Sequence, residues 1–332
     1  MSEIEILTTE DAEYWRKEDP EFLEAVRKAI SLESLFHGMD ALSGRQVGHT
    51  QKTYDDFMAR RKPHDCDACG GQGTVLPKAR SVGTIHPSGA NRCVLALYND
   101  VLAVVQPREE ISPGMRVTFD FGHVVHARIQ STLHQVARWD LQRELASRGL
   151  EKWDAWTKDF ELFDEKIRGL DFDFEDEARI SLPDALIDGG HTDGVFEASL
   201  HVLGDDVRVR GILEIKTMSE KEYEKLAAPK TDHRVQAHGL YATAMDCPFI
   251  DYIYVAKVFD FTRIFTREFV EVYDAEVYDD WARRKLDPVE RALESGKPPT
   301  ADADSRECGF CKYGWNCTQK RGFGSGSRRL RR

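Results

Sequence analysis

Two strand-like segments joined by a tight turn constrain the fold of this chain more than any other feature. Val195–Val202 and Val207–Thr217 are rich in β-branched and aliphatic residues, and the sequence Gly-Asp-Asp lies between them at positions 204–206. Apolar runs of this kind around a glycine–aspartate turn predict an antiparallel β-hairpin. The rest of the fold is therefore expected to assemble around this hairpin.

Patterns on both sides of the hairpin predict helices and further strands. An apolar period of 3.6 residues predicts a long helix over Asp120–Arg148, and a second helix is predicted over Glu151–Ile167. The acidic stretch Asp171–Glu177 is interpreted as a solvated loop. The pattern after the hairpin predicts, in order, a helix (His233–Met245), two strands (Asp251–Val258 and Arg263–Tyr273) and a helix (Ala275–Ser295). This mixture predicts a single domain of the α/β or α+β class.

The chain divides into three stretches by composition. Residues 1–81 form a mostly helical extension, with helices predicted over Ala12–Asp19, Glu21–Ile30 and Met39–Arg61, and end in a glycine-rich C-x-x-C segment. Residues 82–319 form the body. Residues 320–332 form a tail with six basic and no acidic residues, interpreted either as a disordered tail or as a phosphate-binding arm.

Charge and hydropathy exclude some functional classes. The chain of 332 residues has a formal net charge of −12, which argues against a surface that binds nucleic acid nonspecifically but leaves room for a local basic channel. No apolar run approaches the roughly 18 residues that a membrane span needs, and the first twenty residues do not resemble a signal peptide. We therefore expect a soluble cytoplasmic protein without a membrane partner.

Seven cysteines in a chain of this kind point to metal binding rather than disulfides. Cys308, Cys311 and Cys317 follow the spacing C-x2-C-x5-C, which predicts a bound metal or cluster. Three thiols do not complete a tetrahedral site, so a fourth ligand must come from elsewhere. The candidates are Cys66, Cys69, Cys93 and Cys247.

Three charged residues of the hairpin are predicted to lie together. If the turn is centred on Gly204 and Asp205, Asp193 lies opposite Lys216. Glu214 then shares their face, because alternate residues of a strand point to the same side. Two carboxylates in close proximity favour a bound Mg²⁺ or Mn²⁺, and a neighbouring ammonium can orient an attacking water. A surface hairpin held by salt bridges is the alternative interpretation.

These motifs together resemble the PD-(D/E)XK nuclease superfamily, in particular its RecB-like branch, which includes CRISPR-associated exonucleases and phage-encoded relatives. The resemblance spans about residues 86–320 and comprises six segments in the family's order. They are His86–Cys93 with Leu95–Tyr98, Phe121–His126, Gly190–Gly194, Glu214–Thr217, Gln236 to Tyr241, and the cysteines at 308, 311 and 317.

The resemblance implies a restriction-endonuclease-like core, with a mixed central sheet flanked by helices, and a role for each matched residue. His126, Asp193, Glu214 and the carbonyl of Ile215 would bind Mg²⁺ or Mn²⁺. Lys216 would position the water that attacks phosphorus. Gln236 would hold the DNA backbone or Lys216, and Tyr241 completes its motif. The family usually separates these last two by four residues. The spacing of five would turn Tyr241 about 140° away from the direction of Gln236 in an ordinary α-helix.

The resemblance also implies a 4Fe–4S cluster bound by Cys93, Cys308, Cys311 and Cys317. The implied activity is metal-dependent exonuclease cleavage of DNA ends or single-stranded DNA in phage or bacterial recombination, repair or replication. A helicase or recombinase is a conceivable partner.

Two alternatives of other classes are retained. The first is a catalytically idle or partner-dependent subunit that binds DNA ends. The second is a zinc-binding nucleic-acid protein, in which Cys66 and Cys69 hold Zn²⁺ with Cys308 and Cys311. A separate zinc site could form if His64 and His86 joined Cys66 and Cys69. A brown protein would support the iron–sulfur cluster, whereas a colourless protein with stoichiometric zinc would support the zinc interpretation.

Overall fold

The computed structural model describes residues 6–43, 83–104, 113–140, 155–257 and 265–302, together with 308, 311, 313, 314, 317 and 319. The predicted boundary between residues 81 and 82, the C-x-x-C segment with Cys66 and Cys69, His64 and the basic tail lie outside the described residues. No helix within the described part of the chain combines the length and apolarity needed to cross a membrane.

Seven strands and nine helices are named here for reference. The strands are β1 (Asp173–Glu175), β2 (Arg179–Leu182), β3 (Ile187–His191), β4 (Gly194–Val202), β5 (Asp205–Ser219), β6 (Phe249–Lys257) and β7 (Thr266–Val272). The first seven helices are α1 (Thr9–Glu18), α2 (Pro20–Ala29), α3 (Leu32–Ser43), α4 (Val94–Val101), α5 (Pro113–Ala137), α6 (Ala155–Leu170) and α7 (Glu220–Glu224). Helix α8 joins Thr231–His233, the π-helical Arg234–Tyr241 and Ala242–Met245, and α9 joins Ala275–Trp281, the π-helical Ala282–Leu286 and Asp287–Ser295.

Five strands form one mixed sheet in the order β1-β4-β5-β6-β7, and β2 pairs with β3 separately. The predicted hairpin is present as β4 and β5, which pair antiparallel. Strand β6 lies parallel to β5 and β7 antiparallel to β6. A parallel pair needs a crossover connection, and here α8 lies between β5 and β6 in the chain. The prediction of a mixed sheet flanked by helices is therefore confirmed.

The two faces of the sheet are covered by different parts of the chain. One face packs against α1–α3 and α5, where Phe22, Val26 and Phe36 share a core with Leu213 and Ile253. The opposite face packs against α4, α8 and α9 in a second core. The N-terminal helices therefore share a hydrophobic core with the sheet of the body.

The N-terminal helices also cover β7, an edge strand of the sheet. Thr8 and Asp11 form a capping box that begins α1, and Asp19 caps α2 ahead of Pro20. Arg16 donates to the carbonyl oxygens of Val272 and Tyr273, and Arg27 donates to that of Val270 at 3.1 Å. These contacts satisfy backbone acceptors at the free edge of the sheet, which would otherwise invite pairing with another chain.

Several predicted element boundaries were wrong. Helix α5 begins at Pro113, before the predicted start, and ends at Ala137, and residues 141–148 of the predicted helix lie outside the described residues. Beyond the helix end, Trp139 packs against Phe163 and donates to Asp164 of α6. Part of the acidic stretch predicted as a loop is strand β1. There Phe174 is buried and faces Phe196 of β4, while its acidic neighbours are exposed. The helix predicted over Met39–Arg61 overlaps α3, which begins earlier, at Leu32, and residues 44–61 lie outside the described residues.

Candidate active site

The hairpin register differs from the predicted register by two residues. Gly194 pairs with Leu213 and Val202 with Asp205, so continuation of the ladder places Asp193 beside Glu214 rather than Lys216. The turn residues are Leu203 and Gly204, whose φ angles of 52° and 99° suit a two-residue hairpin loop. Because the shift is an even number of residues, the three charged side chains keep their common face.

Helix α5 delivers His126 to the hairpin. The Nδ1 atom of His126 donates to Asp193 Oδ1 at 3.0 Å, and the backbone N–H of Ile215 donates to Asp193 Oδ2 at 2.7 Å. Four residues further along the same helix, Gln130 donates to the backbone oxygen of Asp193 at 2.7 Å. Gln130 was not identified from sequence, although its spacing from His126 places both residues on one face of the helix.

The electrostatics of this contact favour an ionised carboxylate. Burial raises the pKa of Asp193, but His126, Lys216 and the N–H of Ile215 outweigh it, so the pKa lies below its usual value. Burial lowers the pKa of His126, but the Asp193 carboxylate outweighs that effect, so its pKa is raised. The contact therefore favours the imidazolium form of His126 and the carboxylate form of Asp193.

Glu214 and Lys216 form a second charged pair on β5. The Lys216 ammonium contacts Glu214 Oε1, and the side chain of Glu214 is only 1% exposed, against 23% for Lys216. Burial raises the pKa of Glu214 to about 7, despite the opposing effect of Lys216, and the Asp193 carboxylate adds to the rise. Burial lowers the pKa of Lys216, but Glu214 and Asp193 outweigh it and the net pKa is raised. Glu214 is therefore a carboxyl group that gains or loses a proton near neutral pH.

The chemistry of these donors suits a hard divalent cation. Two carboxylates and one imidazole converge from β5, the start of β4 and α5, and carboxylate oxygens are the ligands that Mg²⁺ and Mn²⁺ prefer. Glu214 Oε1 is buried and receives no hydrogen bond of normal geometry from a described residue. Within the described ranges, however, no three His, Cys, Asp or Glu side chains are already arranged as a metal-binding group. The protein cations Lys216 and His126 contact the two carboxylates instead.

The π-helical turn of α8 brings Gln236 and Tyr241 together. Gln236 Nε2 donates to the hydroxyl of Tyr241 at 2.6 Å, so the expectation that the two side chains diverge was wrong. The wider i→i+5 winding of Arg234–Tyr241 places residues five apart about one turn from each other. Tyr241 is buried, and its pKa is raised by burial and then by Glu214. The pair therefore lies within electrostatic range of the acidic centre.

Three of the four cysteines implied as cluster ligands act electrostatically on the fourth, Cys311. Burial raises the pKa of Cys311, and Cys93, Cys317 and Cys308 raise it further. Cys93 immediately precedes α4, and both Cys93 and Cys317 pack against the core of the body. Cys247 is fully buried in the same core, where burial raises its thiol pKa to about 12. The structure therefore places Cys93 within electrostatic range of the C-terminal cysteines.

The comparisons with known proteins are distant. No protein-family model matches the chain, and no curated protein matches it in sequence. Among solved structures, the alkaline exonuclease LHK-Exo from Laribacter hongkongensis is 13% identical with a TM-score of 0.31, the match covering 66% of this chain and 91% of that chain. Its complex with dAMP is 15% identical with a TM-score of 0.32 and the same coverage. The protein SSO0001 is 13% identical with a TM-score of 0.27, the match covering 82% of this chain and 95% of that chain. Likeness at this level establishes no shared activity, so the proposal below depends on the residues of the site.

Proposed function

We propose that this protein is a metal-dependent DNA nuclease of the PD-(D/E)XK superfamily and its RecB-like branch. One observation carries the proposal: Asp193, Glu214 and Lys216 meet on one face of two adjacent strands, with His126 bonded to Asp193. Burying charges in a sheet is costly, and active sites are where buried groups with perturbed pKa values concentrate. The spacing also matches the Asp and Glu-x-Lys motifs of the family resemblance.

The site's own residues divide the work of phosphodiester hydrolysis. Asp193, Glu214, His126 and the Ile215 carbonyl would hold Mg²⁺ or Mn²⁺, which supplies charge stabilisation at the phosphoryl oxygens. Lys216 would release its contact with Glu214 and orient the attacking water with its ammonium. The Ile215 N–H and His126 fix the Asp193 carboxylate in one orientation before substrate arrives.

Gln236 and Tyr241 would lie on the α8 side of the proposed active site. The hydrogen bond between them would fix the orientation of the glutamine amide for contact with the DNA backbone or Lys216. We propose that the protein acts as an exonuclease on DNA ends or single strands. It would act during phage or bacterial recombination, repair or replication, together with a helicase or recombinase. The family resemblance supports these finer assignments.

We further propose that Cys93, Cys308, Cys311 and Cys317 hold a structural 4Fe–4S cluster. The effect of the other three cysteines on the pKa of Cys311 supports this set of four thiols. Anaerobic purification should yield a brown protein with broad visible absorption, and Cys93→Ser should lose that colour. A colourless protein with stoichiometric zinc would contradict the cluster and favour the zinc interpretation.

The direct test is cleavage of 5′- and 3′-end-labelled single- and double-stranded DNA with Mg²⁺ or Mn²⁺. The wild-type protein should degrade DNA, and Glu214→Gln, checked for an unchanged circular dichroism spectrum, should not. The label pattern would give the polarity. If wild type carrying its cluster cleaves nothing with either metal, the nuclease proposal is wrong, and a subunit that only binds DNA ends becomes the better account.

A further inference from the structure

Beside the proposed catalytic residues, His233 occupies a position that none of the assigned roles explains. It lies in the first turn of α8, three residues before Gln236, and is partly exposed. Its ring stacks on Tyr254 with a centroid separation of 5.5 Å and an interplanar angle of 29°. Tyr254 is the direct neighbour of Lys216 across the parallel β5–β6 ladder. The imidazole therefore lies on the face of the sheet that carries the catalytic lysine.

A short chain of hydrogen bonds fixes which nitrogen of His233 carries the proton. The backbone N–H of Lys230 donates to the Tyr254 hydroxyl oxygen at 3.1 Å. That hydroxyl lies 2.9 Å from His233 Nδ1. An oxygen that already accepts from Lys230 is best satisfied by donating its own proton to Nδ1. The proton of a neutral ring then resides on Nε2, where no described residue forms a hydrogen bond.

The surroundings also keep the ring neutral. Burial lowers the pKa of His233 to about 4, and the cations Lys216 and Lys230 lower it further, while Asp232 and Glu222 oppose them weakly. The Lys230 ammonium is itself bonded to Glu222 at 3.1 Å. A neutral N–H beside a lysine ammonium is a donor that adds geometric selectivity without adding charge.

We propose that the Nε2–H of His233 donates a hydrogen bond to a phosphodiester oxygen of the bound DNA strand, beside the phosphate that Lys216 faces. This inference rests on the proposed function and adds a substrate-contacting residue to that site. The relay from Lys230 through Tyr254 makes the ring a preorganised neutral donor. DNA bound by this contact is held by direction and distance, and not by an additional ion pair.

The test measures binding in a background that cannot cleave. A fluorescent single-stranded oligonucleotide is titrated with Glu214→Gln protein, alone and combined with His233→Ala or His233→Gln. His233→Ala should weaken binding about tenfold or more, the usual worth of a hydrogen bond to a charged group. His233→Gln, whose amide can replace Nε2–H, should recover most of the loss. The exposed His201→Ala at the hairpin serves as the matched control and should leave binding unchanged.

Two further readouts exclude a merely structural role. Because the donor is neutral, the slope of log Kd against log salt concentration should be the same with and without His233. Oligonucleotides with one methylphosphonate at successive positions should reveal one phosphate at which His233→Ala has no further effect. Unchanged binding, a reduced salt slope, or equal loss at every position would overturn the inference. If binding changes as expected but wild type never cleaves DNA, the nuclease proposal fails while the DNA contact stands.

Discussion

The sheet carries an acidic pair on each face, with one fully buried member in each pair, and the two pairs have different surroundings. On the face that packs against α4, α8 and α9, Asp193 and Glu214 contact the cationic side chains of His126 and Lys216. On the opposite face, Asp251 of β6 lies beside Glu268 of β7, under the start of α3. Glu214 and Asp251, the buried members, each interrupt an apolar strand, so residue type and burial alone do not distinguish them.

The difference lies in what neutralises the carboxylates. The N–H groups of Leu32 and Glu33 donate to Asp251 and Glu268 at 3.2 Å and 2.8 Å, and Ser31 donates to Glu268 at 2.8 Å. Asp251 is completely buried, whereas the side chain of His126, which contacts Asp193, is 28% exposed. One pair is closed by the start of a helix, and the other is opposed by side chains that can move aside. The counter-charges of Asp193 and Glu214 are partly exposed side chains, as the proposed chemistry requires.

The largest expected contrast is in activity. Glu214→Gln should lower the rate of DNA cleavage by more than about a hundredfold, the loss typical when a group that stabilises the transition state is removed. Asp251→Asn, a change of the same kind on the other face, should stay within about twofold of wild type. Initial rates on labelled DNA measure both. Equal losses in the two variants would show that the comparison has no functional content.

A stability measurement tests the ion pair between Glu214 and Lys216. Lys216→Met removes the cation from buried Glu214 and should lower the free energy of unfolding in urea by up to about 3 kcal/mol. Without Lys216, which lowers it, the pKa of Glu214 should lie above the wild-type value of about 7, so the carboxyl can protonate instead and the deficit should shrink as pH falls towards 7. Glu214→Gln/Lys216→Met should recover stability at pH 8. A deficit independent of pH would rule out this explanation.

The opposite face should show a pH dependence of its own. Burial, together with the neighbouring Glu268 carboxylate, raises the pKa of Asp251 well above its usual value. The folded state therefore binds a proton that the unfolded state has released, and wild-type stability should fall as pH rises towards the folded pKa. Asp251→Asn keeps the shape and carries no titrating group, so its stability should fall less over the same range. Parallel stability curves for the two proteins would contradict a protonated Asp251.

The smallest expected effect concerns the π-helical turn. Tyr241→Phe removes the acceptor of the Gln236 amide and should cost about 1 kcal/mol of stability. Cleavage should slow by several-fold because the amide loses its fixed orientation. Urea unfolding and initial rates test both expectations, with Tyr14→Phe, an exposed residue of α1, as control. An unchanged rate would show that the orientation of Gln236 plays no part in cleavage.

The sequence predicted that Asp193, Glu214 and Lys216 lie together because the three residues are close in the chain. Glu214 and Lys216 are two residues apart on one strand, and a single turn brings Asp193 to them, so an error of two residues in register kept all three on one face. The turn itself was misplaced because Leu203, an apolar residue, adopts the left-handed conformation that composition assigns to glycine or aspartate.

The remaining features depend on contacts that local patterns do not encode. The π-helical winding of α8 inserts no recognisable residue, so an α-helical period gave the wrong direction for Tyr241. Asp251 and Glu268 lie on strands predicted correctly, but their partner is the start of α3, more than two hundred residues away. Sequence separation of that size explains why the second acidic pair and the docking of the N-terminal helices were not anticipated.

The cover over β7 has a consequence for how the chain is made. Arg16 and Arg27 reach acceptors that lie 256 and 243 residues later in the sequence. During synthesis, α1 and α2 leave the ribosome long before β7, the edge strand that they cover, has been made. Closing so distant a contact late makes folding slow and exposes the nascent chain to aggregation. These helices can therefore complete their contacts with the sheet only after β7 has been made.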